Sequence, residues 1–193
     1  GCIARDSVQV VAGKDIFFLS ETGIQSLQRV VQEKSMPFRD VSKNVRDELM
    51  TAALSEDSHE IKAIYYSRDA IYAISFPTTN VTYCFDTRTE LQDGSARATT
   101  WNGFAPTAFL ETIEKDLYIG RVSYIGKYQG YTDNGATYRM AYYTNYFDFD
   151  QPTTSKILKK VNIVAIGGST QPIAFKYGFD YTFNPQSQVV TLH

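Results

Sequence analysis

Histidine is nearly missing from this sequence of 193 residues, which has only His59 and His193. Nucleophilic triads need a base, and imidazole is the usual one, so a hydrolase centre has almost nothing to be built from. Cysteine is as scarce. Cys2 and Cys84 stand apart and neither belongs to a C-x-x-C pair, which removes zinc-ribbon and thioredoxin-like readings. A disulfide between them stays open on sequence alone, and two buried free thiols is the favoured expectation. Charge of one sign is missing too: 19 basic residues face 21 acidic ones, for a formal net charge of −2. Nothing in that balance marks a binder of nucleic acid or of an anionic membrane. No apolar run is long enough for a membrane span, and the first residues lack the basic and apolar regions of a signal peptide. A phosphate-cradling loop is absent as well, because Gly167-Gly168-Ser169 has neither the lysine nor the following helix. No cofactor is expected.

What is plentiful is aromatic: 14 Tyr and 12 Phe against a single Trp. Aromatic and β-branched residues suit pleated, half-buried surfaces, so the composition favours β structure. The stretch Ser7 to Leu27 sets a pattern. Val8, Val10 and Val11 lead into the turn Ala12-Gly13-Lys14-Asp15, and Ile16 to Leu19 follow. Glu21-Thr22-Gly23 turns the chain again, and Ile24 and Leu27 close the unit. The pattern returns as Ala63–Tyr66, Ser67-Arg68-Asp69 and Ala70–Ile74, and again as Ala108–Leu110, Glu114-Lys115-Asp116 and Leu117–Ile119. The turn aspartates Asp15, Asp69 and Asp116 are spaced 54 and 47 residues apart. A period of roughly 40–50 residues built from short antiparallel strands is what propeller blades look like in sequence.

Between the first two units the spacing predicts one helix, about Val41 to Leu54. Asp40 is placed to cap it, and Val41, Val45, Leu49 and Ala53 form its apolar stripe, widened by Met50 and Leu54. Such a helix packs on a sheet edge or between subunits. The second unit reads as strands at 61–66, 70–76 and 81–86, followed by a polar connection from Thr87 to Arg97. Thr99-Thr100-Trp101 opens the third, which ends with a strand from Val122 to Tyr128. The turn signal Tyr131 to Gly135 suggests a boundary, giving a propeller-blade region at 1–134 and a sandwich-like region at 135–193. In the latter, strands are expected at 137–149, at 156–166 and from Ile173 to Asn184, where Ile173, Phe175, Tyr177, Phe179, Tyr181 and Phe183 alternate with more polar residues. Val189 to Leu192 makes one more strand. The fold class is therefore mainly all-β, with blade-like units, one helix and an antiparallel sandwich-like platform.

Chemistry finds few footholds. His59 sits beside Glu56, Asp57 and Glu60, a set that can ligate a divalent cation but reads more simply as a solvated loop. Glu111, Glu114 and Asp116 are the nearest approach to a glycosidase acid pair. Asp116 is better explained as a turn residue, and no pocket is evident beside the glutamates. Lys156, Lys159 and Lys160 fit protection of a strand edge better than nucleic-acid binding. The tyrosines Tyr138, Tyr142, Tyr143 and Tyr146 invite a sugar-stacking role. A core-facing stripe of Tyr138, Met140, Tyr142 and Tyr146, or a subunit interface, is the preferred account. No enzymatic activity is expected.

The segments GCIARDSVQV, GKDIFFLSETGIQSL, VSKNVRDEL, AIYYSRDAIYAI and YYTNYFDFDQPTTSKILKKV together resemble, in the same order, those of bacteriophage tail-nozzle and head-to-tail stabilisation proteins of the tail tubular protein B type. The matching signature is Phe17-Phe18-Leu19-Ser20 followed by Gly23-Ile24-Gln25-Ser26-Leu27. The resemblance implies a propeller joined to a sandwich-like platform. It also implies a homo-oligomeric ring with portal and other tail proteins as neighbours, through which DNA passes without specific binding. The location implied is the virion, after assembly in the host cytoplasm, with no membrane involved. Three blade-like units are too few to close a propeller, so an excised piece of a longer chain is expected, with further blades upstream of Gly1. Tyr142, Tyr143, Tyr146 and Phe147 are the expected assembly contacts, and the helix a docking element. A carbohydrate-binding β-module of a receptor-binding tail protein is the alternative.

Overall fold

In a computed structural model of the chain, residues 1–27, 40–130, 132, 135–144, 147, 149, 153, 155, 157, 159–160, 162, 172–179 and 186–191 are described. The chain divides into two compact units, Gly1–Tyr138 and Arg139–His193. Both are built from antiparallel strands. Among the described residues no helix is long and apolar enough to cross a membrane.

Among its described residues the first unit contains three sheets, each a simple meander in chain order. The first sheet is β1 (Gln9–Val11), β2 (Asp15–Ser20) and β3 (Gly23–Ser26). The second is β4 (Lys62–Tyr66), β5 (Ile71–Phe76), β6 (Val81–Glu90) and β7 (Ala96–Asn102). The third is β8 (Ala108–Glu111), β9 (Leu117–Arg121) and β10 (Tyr124–Lys127). Tight turns join the strands, and four of them place a non-glycine residue at positive φ: Ala12 at 51°, Ala70 at 53°, Asn80 at 52° and Lys115 at 65°. A short helix, α1 (Arg46–Leu54), precedes β4 and is entered through a 3₁₀ turn at Lys43–Val45.

Strand alternation sorts the side chains of the second sheet onto two buried faces. Tyr72, Ile74, Phe76, Tyr83 and Phe85 turn toward the first sheet, where they pack with Phe17, Leu19 and Ile24 and with Leu49 of α1. Ile64, Tyr66, Ala73 and Cys84 turn the other way, onto Leu117 and Ile119 of the third sheet. The second sheet is thus the middle of a stack, which is why β5 reads as a nearly continuous apolar run. Within the first core, Phe17 meets Tyr72 edge-on with ring centroids 5.6 Å apart, and the Tyr72 hydroxyl donates to the Ser7 carbonyl at 2.7 Å.

Several expectations need correction. The stretch Ser7 to Leu27 holds three strands, because Gly23–Ser26, expected only to close it after a turn, pairs with β2 through Phe17↔Ser26 and Leu19↔Ile24. Thr99-Thr100-Trp101 closes the second sheet: β7 pairs with β6 from Val81↔Asn102 to Asp86↔Arg97, and a register shift follows between Asp86 and Glu90. The polar connection expected from Thr87 to Arg97 is therefore largely strand. The α-helix starts at Arg46 rather than Val41, and Leu54 points to solvent at 82% exposure instead of widening the apolar stripe. The three turn aspartates are not equivalent. Asp15 begins β2 and accepts from the Ile16 N–H, Asp69 lies in the β4–β5 turn, and Asp116 precedes β9.

The cysteines are both free, but they are not both buried: Cys2 is exposed, whereas Cys84 lies within β6. Burial pushes the Cys84 thiol far above its usual range, so its thiolate is scarce. A thiol reagent such as DTNB is expected to titrate one equivalent rapidly in the native protein and the second only after unfolding. Two fast equivalents would contradict this placement of Cys84.

In the second unit, β11 (Pro172–Tyr177) and β12 (Gln186–Thr191) form a two-stranded antiparallel sheet, with Ile173 opposite Val190 and Tyr177 opposite Gln186. Ile173, Phe175 and Tyr177 are half-buried while Ala174 and Lys176 are exposed, as the alternation requires. Residues 137–144, expected to begin a strand, are in no strand. Among the described residues they have no ladder partner, and Tyr138, Met140 and Tyr142 are exposed instead of forming a core stripe. The strand expected at 156–166 lies largely outside the described residues, as do Gly167-Gly168-Ser169, Lys156 and Tyr146.

Candidate functional site

The first strands of the three sheets lie beside one another. β1 runs next to β4, and β4 next to β8. Side chains stitch this seam. The Gln9 amide of β1 donates to the Ala63 carbonyl of β4 at 3.0 Å. On the other side, Ser67 just after β4 donates its hydroxyl to the Glu111 carboxylate of β8 at 2.5 Å, and the Tyr66 hydroxyl donates to the Lys115 carbonyl. The seam holds a shallow groove of about 370 Å³, lined by Val8, Gln9, Lys62, Ala63, Thr107 and Phe109, with Arg5 and Asp6 at its margin.

One carboxylate, Asp6, holds both cations of the groove, Arg5 and Lys62. Asp6 accepts from Arg5 at 2.9 Å and from Lys62 at 2.7 Å. These bonds, with Arg5 first and Lys62 second, hold the Asp6 carboxyl down at about 2, against an ordinary 3.8. A second carboxyl, Asp93, is likewise held at about 2 by the Ser95 hydroxyl and N–H, with Lys43 contributing less. A folded-state pKa below the unfolded value gives stability that is complete above the unfolded value. That stability is lost as pH falls through the folded one. Stability is therefore expected to hold from neutral pH down to about 4 and to decline between about 4 and 2. Asp6→Asn together with Asp93→Asn should flatten that decline in urea titrations taken across the window. An unchanged acid slope would remove these two groups as its source.

Other sequence candidates are already committed to structural bonds. Glu111 serves Ser67 and stands 3.7 Å from the Lys115 ammonium. Asp116 pairs with Lys127 of β10 at 2.5 Å, and Glu114 is exposed. Glu56 accepts from the Thr78 N–H and hydroxyl at 2.7 and 2.6 Å, which ties the loop after α1 to the β5–β6 turn. Asp57 caps the His59 N–H. Among the described residues no three His, Cys, Asp or Glu converge to hold a metal ion. Lys159 and Lys160 are exposed. Of the expected contact residues, Tyr142, Tyr143 and Phe147 are 83%, 84% and 70% exposed, and Tyr146 lies outside the described residues.

The polar centre that sequence reading passed over is the clasp around Asp40. Its side chain is 1% exposed. One carboxylate oxygen accepts from the Ser42 N–H at 2.8 Å and the Ser42 hydroxyl at 2.6 Å, and the other accepts from Arg46 at 2.5 Å. The Ser42 oxygen in turn accepts from the Ile24 N–H at 2.9 Å. Between them, Val41 donates its N–H to the Ile24 carbonyl and accepts from the Ala96 N–H, both at 3.0 Å. Residues 40–42 thus join β3 of the first sheet to the start of β7 of the second. The sequence signal is Asp40-x-Ser42, a pair suited to local N–H capture, whereas the helix that Asp40 was expected to cap begins only at Arg46. Comparison with protein-family models, with curated proteins and with solved structures finds no match to this chain.

Proposed function

We propose that this chain is a non-enzymatic structural component of a short-tailed phage particle, part of the nozzle or stabilisation ring through which DNA leaves. The observation that carries the reading is the order of the three sheets. Each is a meander, each packs face to face on the next, and their first strands lie side by side. That order supports a reading of the sheets as successive propeller blades arranged around a central channel. It agrees with the architecture implied by the resemblance at Phe17–Ser20 and Gly23–Leu27. The chain's overall balance, with a formal net charge of −2, suits a wall that DNA must pass without sticking, since each free cation would add a salt-dependent phosphate contact. On this reading the second unit is the sandwich-like platform, and Tyr142, Tyr143 and Phe147 are contacts with neighbouring subunits in a homo-oligomeric ring.

The test is location. Antiserum raised against this chain should detect its antigen in virions purified from cells that produce it. A band in the lysate with none in the particles would sink the proposal. Tyr143→Ala combined with Phe147→Ala should weaken ring assembly while leaving the melting temperature unchanged, because both side chains are exposed. Intact rings from this variant would count against these contacts.

The same exposed aromatic side chains support a second reading, a carbohydrate-binding module of a receptor-binding tail protein, because open aromatic faces stack on sugars. Reproducible glycan-array binding that is lost with Tyr142→Ala and Tyr143→Ala would favour it.

A further inference from the structure

The three sheets of the first unit differ at one edge. In the second sheet the third strand, β6, is covered by β7 along most of its length. In the first sheet residues 40–42 stand in for a fourth strand beside β3: Val41 donates its N–H to the Ile24 carbonyl, and the Ser42 hydroxyl accepts from the Ile24 N–H. In the third sheet, among the described residues, no segment pairs with the outer side of β10. The phase of the ladder shows which groups that leaves. Tyr128 donates its N–H to the Leu117 carbonyl opposite. Antiparallel pairs alternate, so Tyr124 and Gly126 also bond to β9, while Ile125 and Lys127 turn their N–H and C=O groups outward.

Exposed edges normally carry a guard, such as a free charge, a proline or a bulge. β10 is Tyr-Ile-Gly-Lys, and its ladder with β9 runs without a register shift. Its one charge, Lys127, is drawn onto Asp116 at 2.5 Å. Ile125 is 79% exposed, and Val122 just before the strand is exposed as well. The same chain carries the converse feature. Residues 137–144, Thr-Tyr-Arg-Met-Ala-Tyr-Tyr-Thr, contain no proline or glycine and alternate as a strand does. They are nevertheless in no strand, and every one of them is exposed.

We infer that residues 137–144 of one copy of this chain add as a fourth strand to the β10 edge of a second copy. Each feature supplies what the other lacks: an edge with outward backbone groups, and a strand-like segment with no edge to pair with. Within one copy the two form no ladder, so the occupant comes from another. Main-chain bonds to Ile125 and Lys127 supply the attachment, and the alternate side chains of the segment set its register. Donor and acceptor are different surfaces, so the contact is heterologous. Each copy can then pass a strand to the next, and such a series closes into a ring or runs on as a filament. The inference rests on the homo-oligomeric part of the proposed function and gives it a mechanism.

Two proline variants test it. Ile125→Pro removes an outward N–H and leaves the bonds of β10 to β9 in place, since proline is tolerated on the open side of an edge strand. Met140→Pro blocks the donor at an exposed position outside any strand. Sedimentation velocity of the full chain across a concentration series should show association beyond the monomer. Each variant alone should weaken that association by about tenfold or more. The mixture is the decisive arm. Ile125→Pro keeps an intact donor and Met140→Pro an intact acceptor, so together they should form a dimer with one copy of each and stop there. A wild-type chain that stays monomeric, association indifferent to both prolines, or a mixture no more associated than its parts would each overturn the inference. Blots of particles separate this from the phage reading. Strand exchange in a chain absent from virions would remove that reading and leave the contact standing. A chain present in virions whose association ignores both prolines would do the reverse.

Discussion

Gly23→Ala is expected to lower the melting temperature by on the order of 10 °C. Two costs combine. Gly23 has φ of +121°, where an L side chain is strained, and that alone costs about 1–3 kcal/mol. The new Cβ would also stand 2.5 Å from the Ser42 hydroxyl and 2.7 and 2.8 Å from the two Asp40 carboxylate oxygens. None of these atoms can simply move aside. Ser42 is held by the Ile24 N–H and Asp40, and Asp40 by Ser42 and Arg46. Making room means breaking a buried network, so the total comes to about 3–5 kcal/mol. Gly13 is the internal control. It too has positive φ, +67°, but a Cβ there would meet nothing within 4 Å. Gly13→Ala should therefore cost only about 1 kcal/mol. Equal melting temperatures for the two variants would show that the crowding at Asp40 does not exist.

The contrast between those glycines also shows how far the sequence could be read. Gly13 lies in a turn that Ala12-Gly13-Lys14 announces, and the turn is there. Glu21-Thr22-Gly23 announces a turn as well, but Gly23 is the first residue of β3, pressed against Asp40 and Ser42. Local chemistry marks where the chain bends but not what will lie against the bend. The same limit explains the other differences. The strands rich in Val, Ile and Tyr were legible because their alternation is strong. β3, only four residues of GIQS, and β7, with ARATTWN, are polar enough to pass for connections. They become strands because β2 and β6 offer them open hydrogen-bonding edges. Residues 137–144 show the reverse. Their aromatic alternation is as good as that of β11, but a strand needs a neighbour, and periodicity does not reveal whether one exists. The carboxylates at Glu56, Glu111 and Asp116 looked available in sequence because their partners lie 22, 44 and 11 residues away.

Asp40→Ala should destabilise the first unit by about 2–4 kcal/mol, read as a shift of the urea midpoint at constant slope. The carboxylate is almost fully buried, whereas its partner Arg46 is 44% exposed. Once Asp40 is gone, Arg46 can be hydrated where it stands, so the pair itself contributes little to the loss. The cost falls on the Ser42 N–H, left without its acceptor, and on the Ser42 hydroxyl, which no longer has a fixed orientation for the Ile24 N–H. That relay runs between two sheets. Its loss loosens the join of β3 to β7 through Val41 as well as one turn of chain. Asp40→Asn keeps an oxygen for the Ser42 N–H and should cost about half as much. The decisive experiment is the cycle with Gly23. Removing the Asp40 carboxylate also removes two of the three atoms that an alanine at position 23 would strike. Gly23→Ala should therefore cost less in the Asp40→Ala background than alone, by at least about 1 kcal/mol. Strict additivity would mean that Gly23 is required for its backbone angle alone, and that the clasp and the turn are separate devices.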